Sequence, residues 1–425
     1  MSVTSDMKQR IIGVVTLLVI FTILGALLVF ERPRDSDLTS YEAQTQRVFK
    51  DAKSQFEHIR NVTLSSNIKL FVYTKQQAID RWGGDNFDLN TVSGLRRENI
   101  YKSLFLMSEN DSLNGAAAEW ISGWTAASVN NEIYVIYENF WPWDLPEAEA
   151  VLIHELTHIW QPSLPAPSSY DMDIAYSALF EGDASYMGDY YRALYSSTMY
   201  SSDSGTKNVD YRGEWVLRSF LHVTQRNTVY HSDSGAMTEL NLFPYRMGKA
   251  FVSAIVDEGN WERLNQCYTS IYVPITTAQI IHPDKYFSGE TSETALVSIS
   301  SVDDNWTIIP SSYGYTSDSY GEYFIYVMLN RWLNDNQAQE ASTGWSNDSF
   351  TYYERNNDFL FTWNITWDSI HDASEFNQAF KDMLSYAQTS PQDDNTWYAN
   401  GRYLTLTWNP NTNTTLILCS TNQIS

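Results

Sequence analysis

The residue types best suited to catalysis lie together in one short segment, VLIHELTHIWQ, at residues 151–161. It contains the pattern His-x-x-x-His with an acid in second place, formed by His154, Glu155 and His158. On an α-helix, side chains at i and i+4 lie on the same face, so both imidazoles can bind one metal ion. Glu155 lies beside the first ligand, where a carboxylate can act on a water molecule at the metal. The segment therefore predicts a zinc site with a general base.

Two histidines and a glutamate can occur at this spacing by chance on any amphipathic helix. The assignment of a zinc site therefore depends on a third protein ligand. Catalytic zinc uses three protein ligands and leaves its fourth position to water. Glu181 is the candidate, within ALFEGDASYMGDYYRALY at residues 178–195. The turn-rich segment at 161–171, QPSLPAPSSYD, is long enough to return this second helix to the first. Two histidines and one glutamate in this layout are typical of the zinc peptidases called gluzincins.

The local sequence favours a helix around the first two ligands. Pro146 suits a first helical turn, and the run EAEAVLIHEL that follows has high helix propensity. Pro162 and Pro165 then end the helix.

Beyond these motifs, the sequence resembles a poorly characterised family of HExxH, gluzincin-like zinc metallopeptidases of archaea and bacteria, which are membrane-anchored or secreted. The similar blocks run from about Tyr134 to the C-terminus, and they include HELTHIWQ, DMDIAYSALFEGDASYMGDYY and the HPDKY-containing stretch from FPYRMGKAF to KYFSGE. The later blocks GEYFIYVMLN, ASTGWSNDSF and FTWNITWDSIHDASEFNQAF are also similar. The resemblance implies one Zn²⁺ held by His154, His158 and Glu181, with Glu155 as the catalytic residue. It implies no particular substrate.

Two neighbours of Glu181 have possible supporting roles. Gly182 leaves space for close approach of another helix. Asp183 can accept a hydrogen bond from a ligand histidine and orient it, although its direction on the helix equally suits a cap or a salt bridge elsewhere.

Zinc peptidases also need a donor that stabilises the oxyanion opposite the metal, usually a tyrosine or a histidine. Four residues are candidates, and each of them also suits an ordinary hydrogen-bonded structural position: His282, Tyr245, His222 and His231.

The pattern of elements predicts an α+β, zincin-like catalytic domain with a mixed sheet and a metal-binding helix pair. The segment Glu132 to Glu138 reads as a strand ahead of the metal helix, either the edge strand with which an extended substrate pairs or a buried interior strand. The predicted divisions are a cytoplasmic tail at 1–10, a transmembrane helix at 11–30, a stalk or first helix at 31–60, the metallopeptidase domain at 61–300 and a small C-terminal α+β region at 301–425.

Residues 11–30 contain no charge, and twenty helical residues span about 30 Å, the thickness of the hydrocarbon core. A signal peptide is the alternative, but no small-residue cleavage site follows. The positive charges that flank the segment are equal on the two sides and do not indicate an orientation. We expect the short tail inside and the large domain outside because of the size of the domain and its glycosylation sequons. The prediction is a single-pass protein of the cell membrane with an extracellular enzyme domain.

Six sequons mark candidate glycosylation sites, some of them expected by chance in a chain rich in Asn, Ser and Thr: Asn61, Asn110, Asn305, Asn347, Asn364 and Asn413. The two cysteines, Cys267 and Cys419, either form one disulfide in an oxidising compartment or are simply buried.

Composition limits the classes of partner. With 43% apolar and 15% aromatic residues the chain can form a large core, and a net charge of −24 excludes nucleic acid as a natural partner. We expect a peptide or protein substrate and a membrane contact through the N-terminal helix; oligomeric state is open. A surface binding or scaffolding protein without turnover, or a zinc used only for structure, are the alternative functions.

Overall fold

The computed structural model describes residues 35–82, 92–201, 235–290, 305–310 and 318–423, with side chains from residue 38 onward and, in the helix that ends at residue 201, up to residue 195. Contacts divide the chain into two units, Met1–Arg47 and Val48–Ser425. The described part of the first unit is helical.

The N-terminal part of the described chain contains both helices and short strands. They are α1 (Asp35–Arg60), β1 (Lys69–Tyr73), α2 (Lys75–Trp82), α3 (Val92–Ser103), α4 (Leu113–Ser122), β2 (Ala126–Val129) and β3 (Glu132–Ile136). The β2–β3 turn falls at Asn130 and Asn131, where Asn130 has a left-handed φ of 57° that asparagine tolerates.

These three strands form a mixed sheet in the order β1-β3-β2, parallel between β1 and β3 and antiparallel between β2 and β3. The strand at 132–136 is therefore the centre of the sheet: the alternative of a buried interior strand is confirmed, and the alternative of an edge strand was wrong. Its residues Ile133 to Ile136 are all buried, as expected for a strand paired on both sides and covered on both faces. The edge beside the metal helix is β2 instead.

Five helices form the middle of the chain: α5 (Leu145–Trp160), α6 (Tyr170–Ser201), α7 (Gly235–Gln266), α8 (Thr277–Ile281) and α9 (Pro283–Ser288). Helix α7 begins ten residues before the predicted start at 245 and contains Pro244. It is kinked at Gly259 and Asn260, whose backbone angles are not helical.

The C-terminal elements are β4 (Thr307–Ile309), α10 (Gly321–Asn330), α11 (Asp335–Ser342), β5 (Trp345–Arg355), β6 (Asp358–Trp367), α12 (Ile370–Tyr386), β7 (Ser390–Pro391), β8 (Thr396–Ala399), β9 (Arg402–Asn409) and β10 (Thr414–Ser420). The seven strands of this part form an antiparallel sheet in the order β4-β5-β6-β10-β9-β8-β7. The aromatic residues of β6, such as Trp363 and Trp367, are core residues with at most 2% exposure. One hydrophobic core continues from α3, α6 and α7 into this sheet.

The fold is mixed α and β, as predicted, but the membrane part of the prediction is corrected. In the portion of the chain that the structure describes, no helix is both long enough and apolar enough to cross a bilayer. The segment to which the span was assigned, 11–30, lies outside the described residues. The predicted transmembrane helix, the membrane partner and the extracellular location that followed from it are therefore withdrawn.

Of the two alternatives for the cysteines, burial is the one observed, while one sequon differs from expectation. Cys267 and Cys419 are free, buried thiols and form no disulfide with each other. Cys267 contacts the Tyr286 hydroxyl, and burial raises the pKa of Cys419 to about 11. Asn364 is only 4% exposed, within the central strand β6, so it is not a surface site for a glycan. Of the other sequons, Asn61, Asn110 and Asn305 are exposed, and Asn347 and Asn413 are half-buried.

Glu149, on the metal helix α5, should make the stability depend on pH. It is 7% exposed, it accepts a hydrogen bond from Tyr191, and burial together with the charge of Asp51 raises its pKa from 4.5 to about 7. Between these pH values the unfolded chain ionises this group while the folded protein keeps the proton, so stability present at low pH is lost as the pH rises to 7.

We expect Glu149→Gln to gain stability relative to the parent as the pH rises from 4.5 to 8, by up to about 3 kcal/mol. Glu147→Gln, at an exposed position of the same helix, is the control. Urea unfolding at several pH values measures the difference, and a stability difference that stayed constant with pH would contradict the assignment.

Candidate metal centre

Helices α6 and α7 approach each other unusually closely at two glycines. A Cβ atom added at Gly182 would lie 2.3 Å from the backbone of Gly248, and one added at Gly248 would lie 2.0 Å from the carbonyl oxygen of Ala178. Only residues without a side chain allow this crossing. The space predicted behind Glu181 is therefore confirmed, and the crossing places Tyr245, one turn before Gly248, beside Glu181.

Three side chains converge from helices α5 and α6. His154 Nε2 lies 3.1 Å from His158 Nε2, and Glu181 Oε2 lies 3.2 Å and 3.3 Å from these two nitrogens. Ligands about 2.0–2.1 Å from a tetrahedral zinc ion are separated by about 3.3–3.4 Å, so the triangle has the size of one face of such a site. Among the described residues, this is the one group of three or more His, Cys, Asp or Glu side chains that could hold a metal ion.

The chemistry of the three atoms also suits a cation. His158 Nδ1 lies 2.9 Å from the amide oxygen of Gln161, which can only accept, so Nδ1 carries the proton of a neutral ring. In this neutral form, which a metal ion requires, His158 Nε2 presents a lone pair to the buried carboxylate oxygen Glu181 Oε2. Acceptors that converge in this way repel one another unless a positive charge lies between them. A divalent ion satisfies all three.

The centre is open on one side. The side chains of His154, His158 and Glu181 remain 20%, 21% and 23% exposed. A purely structural zinc is enclosed by four protein ligands, whereas a catalytic one keeps a position for water and substrate. Three ligands with about a fifth of their surface accessible correspond to the second arrangement.

Electrostatics confirm how strongly these groups attract positive charge. Burial disfavours an imidazolium at His158, but Glu181 and Glu155 outweigh burial and raise the pKa of His158 to about 9. Burial opposes ionisation of Glu181 as well, and the two histidines nevertheless hold the pKa of this carboxyl well below its usual range. The centre therefore retains a proton at neutral pH unless a metal ion replaces it.

The predicted base and one predicted oxyanion donor lie at the same place. Glu155 is 6% exposed and close enough to act electrostatically on both His158 and Tyr245. The Tyr245 ring stacks on His154, with 6.3 Å between centroids and 10° between planes, and its hydroxyl is close enough to the Glu181 carboxylate to interact with it. Burial and the two carboxylates raise the pKa of Tyr245 well above its usual value, so the hydroxyl stays protonated and able to donate.

His282 is not brought to the centre. It lies between α8 and α9, contacts Glu322 of helix α10 at 2.7 Å, and is not part of the group of possible metal ligands. Two further candidates, His222 and His231, lie outside the described residues. Of the two candidates that the structure describes, Tyr245 is the one at the centre.

The contact that orients His158 comes from Gln161 rather than from Asp183. Asp183 is fully buried and accepts hydrogen bonds from Arg60 Nη1 at 2.9 Å and from the Tyr268 hydroxyl at 2.8 Å. It is thus the salt-bridge partner that the sequence left as an alternative. Gln161 was missed, although its position three residues after His158 places it on the ligand face of the helix.

Comparison with known proteins gives little beyond this geometry. The model of a domain family of unknown function, DUF8575, matches residues 311–421, which contain none of the three converging residues. No curated protein matches the chain. Among solved structures, the chain is similar to a "putative hydrolase with a novel fold" from Chloroflexus aurantiacus, with 14% identity, 60% of this chain and 92% of that chain covered, and a TM-score of 0.34.

The helix crossing leads to a first test of the centre. We expect Gly248→Ala to lower the free energy of unfolding by at least about 2 kcal/mol and to weaken metal binding, because the new carbon overlaps a backbone oxygen and pushes α6 and α7 apart.

The matched control is Gly115→Ala in helix α4, where an added carbon lies 3.4 Å from Ser112 Oγ, an ordinary contact. Urea unfolding and zinc titration measure both variants. A Gly248→Ala protein as stable as the parent, with the same zinc affinity, would contradict the close crossing.

Proposed function

We propose that this protein is a zinc-dependent metallopeptidase that hydrolyses peptide bonds. The observation that carries the proposal is the triangle of His154, His158 and Glu181, with Glu155 and Tyr245 at its border. Three ligands, a base and a hydroxyl donor around one open position form the combination that metal-assisted hydrolysis requires.

Each residue has a distinct task in this proposal. His154, His158 and Glu181 hold the ion, and a zinc ion bound there would polarise the substrate carbonyl and lower the pKa of the attacking water. Glu155 accepts a proton from that water and passes it to the nitrogen of the leaving amine. The Tyr245 hydroxyl donates a hydrogen bond to the carbonyl oxygen as it gains negative charge.

Strand β2 supports a peptide as the substrate. The Ile136 N–H donates to Thr125 C=O, which makes these two residues a hydrogen-bonded pair. Because such pairs alternate along antiparallel strands, Ala126 and Ser128 direct their N–H and C=O groups away from β3. This outer side of β2 is an edge of the sheet, next to helix α5, and an extended peptide can pair with such an edge by main-chain hydrogen bonds.

Glu155 provides the most direct test. We expect Glu155→Gln to bind zinc as the parent does and to lose turnover by about 10²-fold or more, because the base is removed while the ligands remain. Cleavage of a mixed peptide library, followed by mass spectrometry with and without a chelator, measures the turnover.

Glu147→Gln, an exposed glutamate on the same helix, should cleave like the parent. A Glu155→Gln protein that cleaved at the parental rate would refute the assignment of the base. A parent protein that binds zinc but cleaves no peptide would favour a binding protein without turnover.

Tyr245 should act on the transition state rather than on the metal. We expect Tyr245→Phe to lower kcat about 10²-fold with little change in KM and in zinc affinity, because only the developing oxyanion loses a donor. Tyr186→Phe, at another partly buried tyrosine of the helix pair, is the control. Loss of zinc affinity in Tyr245→Phe without any change in kcat would show that Tyr245 supports Glu181 only.

A further inference from the structure

Gln161 lies where helix α5 ends. Its backbone leaves the helical conformation, with φ −56° and ψ 132°, and its side chain lies beside His158. The amide oxygen of Gln161 is 2.9 Å from His158 Nδ1, the ring nitrogen that faces away from Glu181. Gln161 thus binds Nδ1 of the His158 ring and leaves Nε2 available to a metal ion.

The amide group of Gln161 is fixed at its other end. Its nitrogen Nε2 donates to the Phe180 carbonyl oxygen at 2.9 Å and to the Tyr268 hydroxyl at 2.9 Å. Both amide hydrogens therefore have acceptors, and a rotated amide would place an oxygen against the Phe180 carbonyl. Two bonds of this kind hold the amide oxygen towards His158.

The direction of every bond in the network follows from the charged pair behind it. Arg60 can only donate and the Asp183 carboxylate can only accept, so the Tyr268 hydroxyl must give its hydrogen to Asp183. The Tyr268 oxygen is then left to accept from the Gln161 nitrogen, and the Gln161 oxygen accepts from His158 Nδ1. Because Arg60 keeps its charge under all ordinary conditions, the hydrogen bonds of this network cannot reverse their direction.

The same pair is held rigidly. Arg60 and Tyr268 are 8% and 7% exposed and Asp183 is fully buried. The Arg60 guanidinium lies between two indole rings, 4.2 Å from the centroid of Trp160 and 4.5 Å from that of Trp261. A buried cation fixed on two aromatic faces and one carboxylate has little freedom to turn.

We propose that Gln161 is a positioning residue of the metal centre, which fixes the His158 imidazole with Nδ1 protonated and Nε2 directed at the ion, and that Tyr268, Asp183 and Arg60 fix Gln161. The inference rests on the proposed zinc centre and extends it to residues that touch neither metal nor substrate. Partners of this kind fix the ring and raise its basicity, and their loss usually lowers metal affinity 10- to 100-fold, roughly the range expected here.

The test uses the full chain and measures zinc affinity by competition with a chromogenic chelator, without any substrate. We expect Gln161→Met, which keeps the size of the side chain and removes its hydrogen bonds, to weaken zinc binding about 10- to 100-fold. Tyr268→Phe, which frees the amide to turn, should weaken it several-fold. The visible spectrum of the cobalt(II)-loaded protein should change in both variants, because the His158 ring is no longer fixed.

Tyr286→Phe is the matched control. Its hydroxyl is also buried and hydrogen-bonded, to the Tyr272 carbonyl oxygen, and it makes no contact with Gln161. This variant should bind zinc like the parent, and urea unfolding of the zinc-free proteins should show similar losses of stability for Tyr286→Phe and Tyr268→Phe.

Parental zinc affinity and an unchanged cobalt spectrum in Gln161→Met would overturn the inference, as would equal loss of zinc affinity in the two tyrosine variants. Failure of the proposed function has a different signature: a parent protein that binds zinc tightly, loses it in Gln161→Met, and still cleaves no peptide.

Discussion

The metal centre depends on how closely two helix backbones approach. Glu181 and Tyr245 belong to different helices, and they lie together at the candidate metal centre because Gly182 and Gly248 let α6 and α7 come into backbone contact. Any side chain at the crossing would separate the third ligand from the hydroxyl donor. The histidine pair needs no such device, since one helix turn provides it. The spacing of His154 and His158, the clearest signal in the sequence, therefore depends on one helix only, whereas the positions of Glu181 and Tyr245 depend on how the helices pack.

Charge is the second constraint. Glu155, Glu181 and Asp183 lie on two adjacent helices, with Glu155 and Asp183 buried and Glu181 partly buried, and three carboxylates held in this way without compensation would oppose folding. Each has its own compensation. Asp183 is paired with Arg60, Glu181 faces the two imidazoles, and Glu155 lies near an imidazole and a phenol. The balance at Glu181 is complete only with a metal ion or a retained proton, whereas Asp183 is already paired with Arg60.

The sequence allowed the local parts of this arrangement to be predicted, and the long-range parts escaped it. The helix of His154 and His158 and the strand that begins at Glu132 depend on neighbours in the chain, and both elements were predicted. The position of β3 in the sheet depends on β1, which precedes it by some sixty residues and pairs with it in parallel. A period-two pattern shows a strand, but not which strands will flank it.

The same distinction applies to single residues. Gln161 has no signal of its own, because its role is set by Tyr268, which is 107 residues away, and through it by Arg60. Tyr245 could be named only as one of four candidates, since the glycine crossing that selects it is a property of two helices. Asn364 carries a sequon motif that the central strand makes inaccessible. Motifs give the chemistry of a residue, and packing decides whether the residue can use it.

The C-terminal sheet contributes to the centre by fixing the helix that carries Glu181. Asp171, in the first turn of α6, donates its N–H to the Ser319 carbonyl oxygen and accepts from the N–H and hydroxyl of Thr277. Gly321, at φ 81°, allows helix α10 to begin against that carboxylate, where an added Cβ would lie 1.8 Å from it. On the other side, the same turn is held by the buried carboxylate of Asp348 in strand β5, which accepts the N–H groups of residues 320 and 321.

A displacement of the sheet would therefore shift the start of α6 and, three turns later, the position of Glu181. Residues 311–421, the part of the chain that a domain family matches, hold none of the three converging residues, yet two of them contact the start of the helix that carries Glu181. Ser319 accepts the N–H of Asp171, and Gly321 packs against the Asp171 carboxylate. The geometry of the candidate metal centre is thus a property of the whole unit from Val48 onward, because helix α5 alone places the two histidines but not the glutamate that closes the triangle.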